Sequence, residues 1–123
     1  MMKEMTPNKL IEYSNNNKCI LIDVRTEREW ATIGKPDGDQ VGFKTYFVSI
    51  KDNQGSINNN FVNDILSLNI EKELEIAFIC KSGVRSALAT DLINNEDYEC
   101  INVVDGFEGN EGGLYSGLPI KKD

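Results

Sequence analysis

The sequence predicts a single α/β domain built on a parallel sheet of about five strands, with helices on both faces. Apolar runs of strand length, such as residues 20–22 and 76–79, alternate along the chain with segments of helical spacing. Strands separated by helices are typical of βα units around a parallel sheet. The 123 residues, without an internal repeat or a linker, fit one domain spanning 1–123 with a core at about 5–120.

The first half of the chain carries two helix-start signals. Thr6 followed by Pro7 is typical of an N-cap and a proline at the first helical position. Thr26 with Glu29 has the spacing of a capping box and predicts a helical turn. We expect a buried strand at residues 19–23 and this helical turn at residues 26–31. A loop at residues 34–39 and a second strand at residues 45–50 follow.

The second half repeats the alternation of helices and strands. Two helices are predicted from apolar residues at helical spacing: Ile57, Phe61, Ile65 and Leu68 in one, and Val84, Ala87, Leu88 and Leu92 in the other. The mostly apolar residues 74–79 and 101–104 predict two further strands. A glycine-rich tail follows from Gly106. Ligands of parallel sheets bind beyond the carboxyl ends of the strands, so functional residues are expected there.

The composition excludes several classes of protein. Because the chain has no histidine, Ser-His-Asp and Cys-His catalysis and histidine-ligated metal sites are excluded. Thirteen Lys and Arg against twenty Asp and Glu leave a net charge of −7, which disfavours nucleic acid and anionic membranes as partners. The first seven residues lack the apolar region of a signal peptide. Three cysteines without a framework spacing argue against a disulfide scaffold, and we expect a cytoplasmic protein.

The stretch with the clearest chemistry is the loop after residues 76–79. The apolar strand leads into Cys80, and Arg85 follows five residues later where a helix begins. Backbone N–H groups of such a loop, together with the positive end of the helix dipole, form a cradle for anions. Gly83 lets the loop close, and Lys81 adds positive charge. A thiol in that field ionises more readily, so Cys80 is the candidate nucleophile; the alternative is a small buried residue at a strand end.

Several segments resemble the single-domain rhodaneses, a family of sulfurtransferases. Residues 80–86 (CKSGVRS) resemble the active-site loop of that family, and residues 102–107 (NVVDGF) resemble the segment after its last strand. Residues 21–25 (LIDVR), followed by Glu29 and Trp30, resemble its N-terminal signature. Residues 117–119 resemble its usual ending.

The resemblance implies a thiosulfate sulfurtransferase. Cys80 would take sulfur from thiosulfate or a persulfide and pass it, through its own persulfide, to cyanide or a thiol, including a protein cysteine. The resemblance implies a loop that holds the persulfide, made of Lys81, Ser82, Gly83, Val84 and Arg85, with support from Asp23, Arg25 and Ser86. It implies no metal and no organic cofactor. The alternative is a rhodanese-like sulfur carrier or protein-binding module with little turnover of small donors.

The length of the loop distinguishes sulfurtransferase chemistry from phosphatase chemistry. Four residues lie between Cys80 and Arg85, whereas the related tyrosine and dual-specificity phosphatases have five, in a loop that admits phosphate. The resemblance departs at residues 34–39 (GKPDGD), which lack the histidine usual in the family, so pocket shape and partner surface are expected to differ.

An ion pair and the other two cysteines are also predicted from the sequence. Arg25 and Glu29, four residues apart, are predicted to pair on one helical face. Cys19 and Cys100 border strands and have no anion cradle near them in the sequence, so both are expected to be buried and unreactive.

Overall fold

The computed structural model describes residues 2–37, 40, 42–107 and 120–121. Its elements in chain order are β1 (Lys3–Met5), α1 (Pro7–Ser14), β2 (Cys19–Asp23), α2 (Glu27–Thr32), β3 (Lys35–Pro36), β4 (Lys44–Phe47), α3 (Phe61–Leu66), β5 (Glu75–Ile79), α4 (Val84–Asn94), β6 (Cys100–Val103) and β7 (Ile120–Lys121).

A parallel sheet organises the molecule, and this confirms the predicted fold class. Within the described part of the chain it has five strands in the order β1-β6-β5-β2-β4, with every neighbouring pair parallel. The bounds of β2 match the prediction, while β4, β5 and β6 differ from it by one to three residues at their ends. The fifth strand, β1, was not predicted, because the short segment Lys3–Met5 has no apolar run and pairs with a strand almost a hundred residues away in sequence, β6.

Helices pack on both faces of this sheet, as predicted. Strand side chains alternate between two apolar clusters, because successive residues of a strand point to opposite faces. Ile22 and Phe78 belong to the cluster that packs against α3 and α4. Leu21 and Ala77 belong to the other cluster, which contains Leu10 of α1.

Both predicted helix starts are confirmed. The Thr6 hydroxyl accepts the Lys9 backbone N–H at 3.3 Å, with Pro7 at the first helical position of α1. At α2, the Thr26 hydroxyl accepts the Glu29 N–H at 3.2 Å, and the Glu29 carboxylate accepts the Thr26 N–H at 3.1 Å. This reciprocal capping box holds Glu29 at a fixed position beside the end of β2.

Of the two helices predicted from apolar spacing, one is shorter than expected and the other is confirmed. Ile57 lies outside α3 in a bridge to Lys51 and is 49% exposed. The helix predicted from Val84, Ala87, Leu88 and Leu92 is α4, although Val84 itself is 77% exposed. The residues that α4 buries are Ser86, Ala89, Thr90 and Ile93. Apolar residues occur all around this helix, so their spacing alone could not select the buried face.

Parts of the sequence predictions fall beyond the described residues. Of the predicted loop 34–39, Lys35 and Pro36 form β3, which pairs antiparallel with β7, while residues 38 and 39 lie outside the described residues. Most of the glycine-rich tail, including residues 117–119, also lies outside them. None of the helices described in the structure is long and apolar enough to cross a membrane.

Candidate active site

The carboxyl ends of β2 and β5 bring the predicted site residues together. Asp23, the last residue of β2, is in register with Ile79, which directly precedes Cys80. The Val24 N–H donates to the Ile79 carbonyl at 2.9 Å, so the two chains continue side by side beyond the sheet. This is the edge at which ligands of parallel sheets bind.

The Cys80 sulfur lies inside the loop that connects β5 to α4. Among the described residues, the backbone N–H groups of Gly83 and Ser86 donate to Cys80 Sγ, at 3.1 Å and 3.3 Å. Gly83 has a φ of +107°, a backbone conformation that favours glycine, and it forms the N-cap of α4. Cys80 is only 1% exposed, so the sulfur lies in an enclosed site lined by amide donors.

The side chains of the loop form its outer surface. Lys81, Ser82 and Val84 are exposed, whereas Gly83 and Ser86 are buried. The loop therefore offers its backbone to the sulfur and its side chains to solvent and to an approaching partner.

Arg85 is held by Glu29 rather than free in the loop. Its guanidinium donates two hydrogen bonds to the Glu29 carboxylate, at 2.7 Å and 2.9 Å. Burial alone would raise the pKa of Glu29, but the hydrogen bonds from Arg85 and Thr26 outweigh it and lower that pKa to about 2. The hydrogen bond to Glu29 also raises the pKa of Arg85. The pair anchors the loop to α2 and offsets much of the positive charge expected from Arg85.

The predicted Arg25–Glu29 pair was wrong, because Arg25 precedes the N-cap of α2 and so lies outside the helix on which the spacing rule depends. Arg25 instead pairs with Asp23, with its Nη2 at 2.8 Å from the carboxylate, and both side chains are fully buried. The same Nη2 donates to the Gly34 carbonyl at 2.8 Å, and the guanidinium lies 4.3 Å from the centre of the Phe107 ring. This buried pair connects β2, the turn before β3 and the segment after β6.

The segment after β6 supports the loop from behind. The Phe107 N–H donates to the Cys80 carbonyl at 2.8 Å. Gly106, with a φ of +58°, packs so closely that an added Cβ would lie 2.5 Å from that same carbonyl oxygen and also against the Lys81 carbonyl. The resemblance covered this segment, but the contact that requires glycine was not predicted.

Asn102 is a site residue that the sequence prediction missed. It lies in β6, is 2% exposed, and accepts the Ser86 hydroxyl at 2.6 Å. Its amide nitrogen donates to the Gly83 carbonyl at 3.2 Å. The one available signal was its position as a polar amide among apolar strand residues, since a buried amide requires partners.

The other two cysteines are buried, as predicted. Burial raises the pKa of Cys19 to about 11 and that of Cys100 to about 12. Both therefore stay protonated at neutral pH and are poor nucleophiles. Within the described residues, no group of three or more Cys, Asp or Glu side chains could hold a metal ion.

The Glu29–Arg85 pair makes a prediction for acid stability. Because folding lowers the pKa of Glu29, its stabilisation is fully present above its ordinary pKa of 4.5 and is lost as pH falls toward about 2. We expect the free energy of unfolding of the natural protein to fall more steeply across this window than that of a Glu29→Gln variant. Urea unfolding at a series of pH values measures it, with Glu27→Gln, an exposed residue of the same helix, as control. Parallel curves for the natural and Glu29→Gln proteins would contradict the assignment.

Comparison with known proteins agrees with this geometry. Residues 6–111 match the rhodanese-like domain family. An uncharacterized protein of Rickettsia prowazekii, RP600, is 42% identical over 97 residues, which cover 77% of this chain and 74% of that protein. The crystal structure of Rv0390 from M. tuberculosis is 32% identical, with a TM-score of 0.84 over 98% of both chains. A rhodanese-like domain protein from Staphylococcus aureus superposes with a TM-score of 0.66 at 24% identity, over 98% of this chain and 100% of the other.

These matches, together with the Cys80 loop at the carboxyl end of the sheet, identify the chain as a member of the rhodanese-like domain family.

Proposed function

We propose that the protein is a sulfurtransferase that moves sulfane sulfur from a donor such as thiosulfate to a thiol or to cyanide through a persulfide on Cys80. The observation that carries this proposal is the position of the sulfur, which accepts the N–H groups of Gly83 and Ser86 at the start of α4. Such donors stabilise an anionic sulfur without a histidine base, and the chain has no histidine.

The reaction divides into two displacements at sulfur. The Cys80 thiolate attacks the outer sulfur of thiosulfate, the S–S bond of the donor breaks, and sulfite leaves with the bonding electron pair. An acceptor thiolate then attacks the terminal sulfur of the Cys80 persulfide. The S–S bond of the persulfide breaks, and Cys80 leaves as the thiolate with which the cycle began. This is covalent catalysis of the ping-pong type, in which the two substrates react in turn.

The enclosure of the sulfur favours a donor with a terminal sulfur atom. Cys80 is 1% exposed, so a donor reaches it with a narrow end rather than with a bulky group. The four-residue interval between Cys80 and Arg85 gives a loop shorter than that of the phosphatases. A tetrahedral phosphate with its oxygens therefore fits this site less well than a single sulfur atom.

The acceptor that the loop surface favours is a protein cysteine. Val84 and Leu88, four residues apart on α4, are 77% and 40% exposed beside the loop. Exposed apolar side chains next to a reactive group favour contact with a protein surface rather than with a small ion. We propose a reducing cytoplasm as the compartment, where protein thiols are available. The same surface also suits the second candidate, a sulfur carrier or binding module with little turnover of small donors.

Intact-mass spectrometry after incubation with thiosulfate tests the proposal. We expect the protein to gain the mass of one sulfur atom, and to lose it when cyanide is added. A gain in mass with negligible steady-state turnover would select the sulfur carrier. Failure to gain sulfur, together with hydrolysis of an aryl phosphate, would overturn the sulfurtransferase assignment.

A further inference from the structure

The hydrogen bonds of Asn102 determine which way the Ser86 hydroxyl points. The Asn102 amide nitrogen donates to the Gly83 carbonyl at 3.2 Å, so its oxygen faces Ser86. An amide oxygen only accepts hydrogen bonds, and it lies 2.6 Å from Ser86 Oγ, so the hydroxyl is the donor. The three side chains Cys80, Ser86 and Asn102 are all buried, which keeps water from replacing these contacts.

The orientation of the Ser86 hydroxyl affects the sulfur of Cys80. Ser86 Oγ lies 3.3 Å from Cys80 Sγ, and a hydroxyl has one proton to give. While that proton goes to Asn102, the oxygen presents a lone pair to the sulfur. A lone pair accepts the S–H of a neutral thiol but repels a thiolate. It therefore opposes the two backbone N–H groups, which favour the thiolate.

We propose that Asn102 is a positioning residue that holds the Ser86 hydroxyl away from Cys80, and so sets the pH at which the nucleophile becomes a thiolate. Among the described residues, the sulfur has hydrogen-bond partners in Gly83 and Ser86 and none in Asn102, which acts through Ser86. The thiol proton goes to solvent when the thiolate forms, and no covalent bond changes. The inference rests on Cys80 as the nucleophile of the proposed function.

Charged groups around Cys80 must be kept constant in any test of this arrangement. They are Lys81 and Arg85 on its own loop and helix, Asp23 and Arg25 at the end of β2, Glu29 on α2, and Asp105 after β6, whose backbone nitrogen lies close to Gly83. The variants below change none of them, so their contributions cancel when variants are compared with the natural protein.

The test follows the ultraviolet absorbance of the thiolate against pH in folded protein. Cys19 and Cys100 do not interfere, because burial raises their pKa values to about 11 and about 12. In Asn102→Leu, the Ser86 hydroxyl is free to donate to the thiolate, and we expect the titration midpoint to fall by about one pH unit. In a Ser86→Ala background the same Asn102→Leu change should move the midpoint little.

The matched control is Thr90→Val. Thr90 is fully buried on α4 and its hydroxyl donates to the Ser86 carbonyl at 2.7 Å, so the variant removes a neighbouring buried hydrogen bond that does not involve the sulfur. We expect it to leave the midpoint unchanged.

An unchanged or raised titration midpoint in Asn102→Leu would overturn the inference. So would a fall of the same size when Asn102→Leu is made in the Ser86→Ala background. If Asn102→Leu does not fold, the titration midpoint of the Ser86→Ala variant tests the inference by itself. A lowered midpoint there supports the inference; a raised or unchanged midpoint would mean that the hydroxyl presents no lone pair to the thiolate, and the inference would fail. The titration uses no sulfur donor, so its result is separate from the persulfide test of the proposed function.

Discussion

Replacing Cys80 with serine should reduce the rate of sulfur transfer from thiosulfate to cyanide by at least about a thousandfold. A serine hydroxyl does not ionise at neutral pH, even with the Gly83 and Ser86 N–H groups directed at it, and it forms no persulfide. The measurement is the steady-state rate, together with the intact mass after thiosulfate. Circular dichroism checks that the variant is folded.

The matched controls for this variant are Cys19→Ser and Cys100→Ser, which make the same chemical change at the other two cysteines. Both should retain most of the activity, because these thiols stay protonated at neutral pH and lie at the amino ends of β2 and β6, opposite the edge that carries the loop. A folded Cys100→Ser protein as inactive as Cys80→Ser would replace the single-cysteine mechanism with one that needs two.

The second large effect is expected at Gly106. An alanine there would place its Cβ 2.5 Å from the Cys80 carbonyl oxygen and against the Lys81 carbonyl, at a φ of +58°. The clash is with backbone, so it is relieved only by displacing the loop that holds the sulfur. We expect Gly106→Ala to lower the free energy of unfolding by about 3 kcal/mol or more. Sulfur transfer should be lost along with it, as measured in whatever fraction remains folded.

The control variant Gly55→Ala distinguishes the steric clash at Gly106 from the energetic cost of placing alanine at a positive φ. Gly55 has a φ of +86°, and a Cβ there would meet none of the described atoms within 4 Å. We expect this control to cost only about 1 kcal/mol and to leave sulfur transfer intact. Equal losses of stability in the two variants would show that the contact with the Cys80 loop is unimportant.

The caps and the main strands could be predicted because they depend on residues close together in the chain. Thr26 and Glu29 form their capping box within a single turn, and the apolar run of β2 is strand-sized with the bounds expected. The Cys80 loop was recognisable for the same reason, since the strand, the cysteine, the glycine and the helix follow one another directly. Local spacing therefore specified the candidate nucleophile and the backbone that surrounds it.

The supports of that loop could not be predicted from spacing. Glu29 reaches Arg85 across 56 residues, and Asn102 reaches Ser86 across 16. These contacts exist because β2, β5 and β6 lie side by side in one register, with their carboxyl ends at a common edge. A local pattern carries no information about which distant carboxylate or amide will be brought to that edge, so Arg25 was paired with the wrong acid.

The sequence by itself determined that this is an α/β chain with a cysteine between a buried strand and a helix. The tertiary structure decided which groups face that cysteine. It selected the face of α4 that buries Ser86 and exposes Val84, a choice that a helix with apolar residues all around leaves open. It also brought Asn102 and Gly106 against the loop. The physical reason is that element formation is governed by neighbours in sequence, whereas the surroundings of a buried sulfur are governed by the packing of strands far apart in sequence.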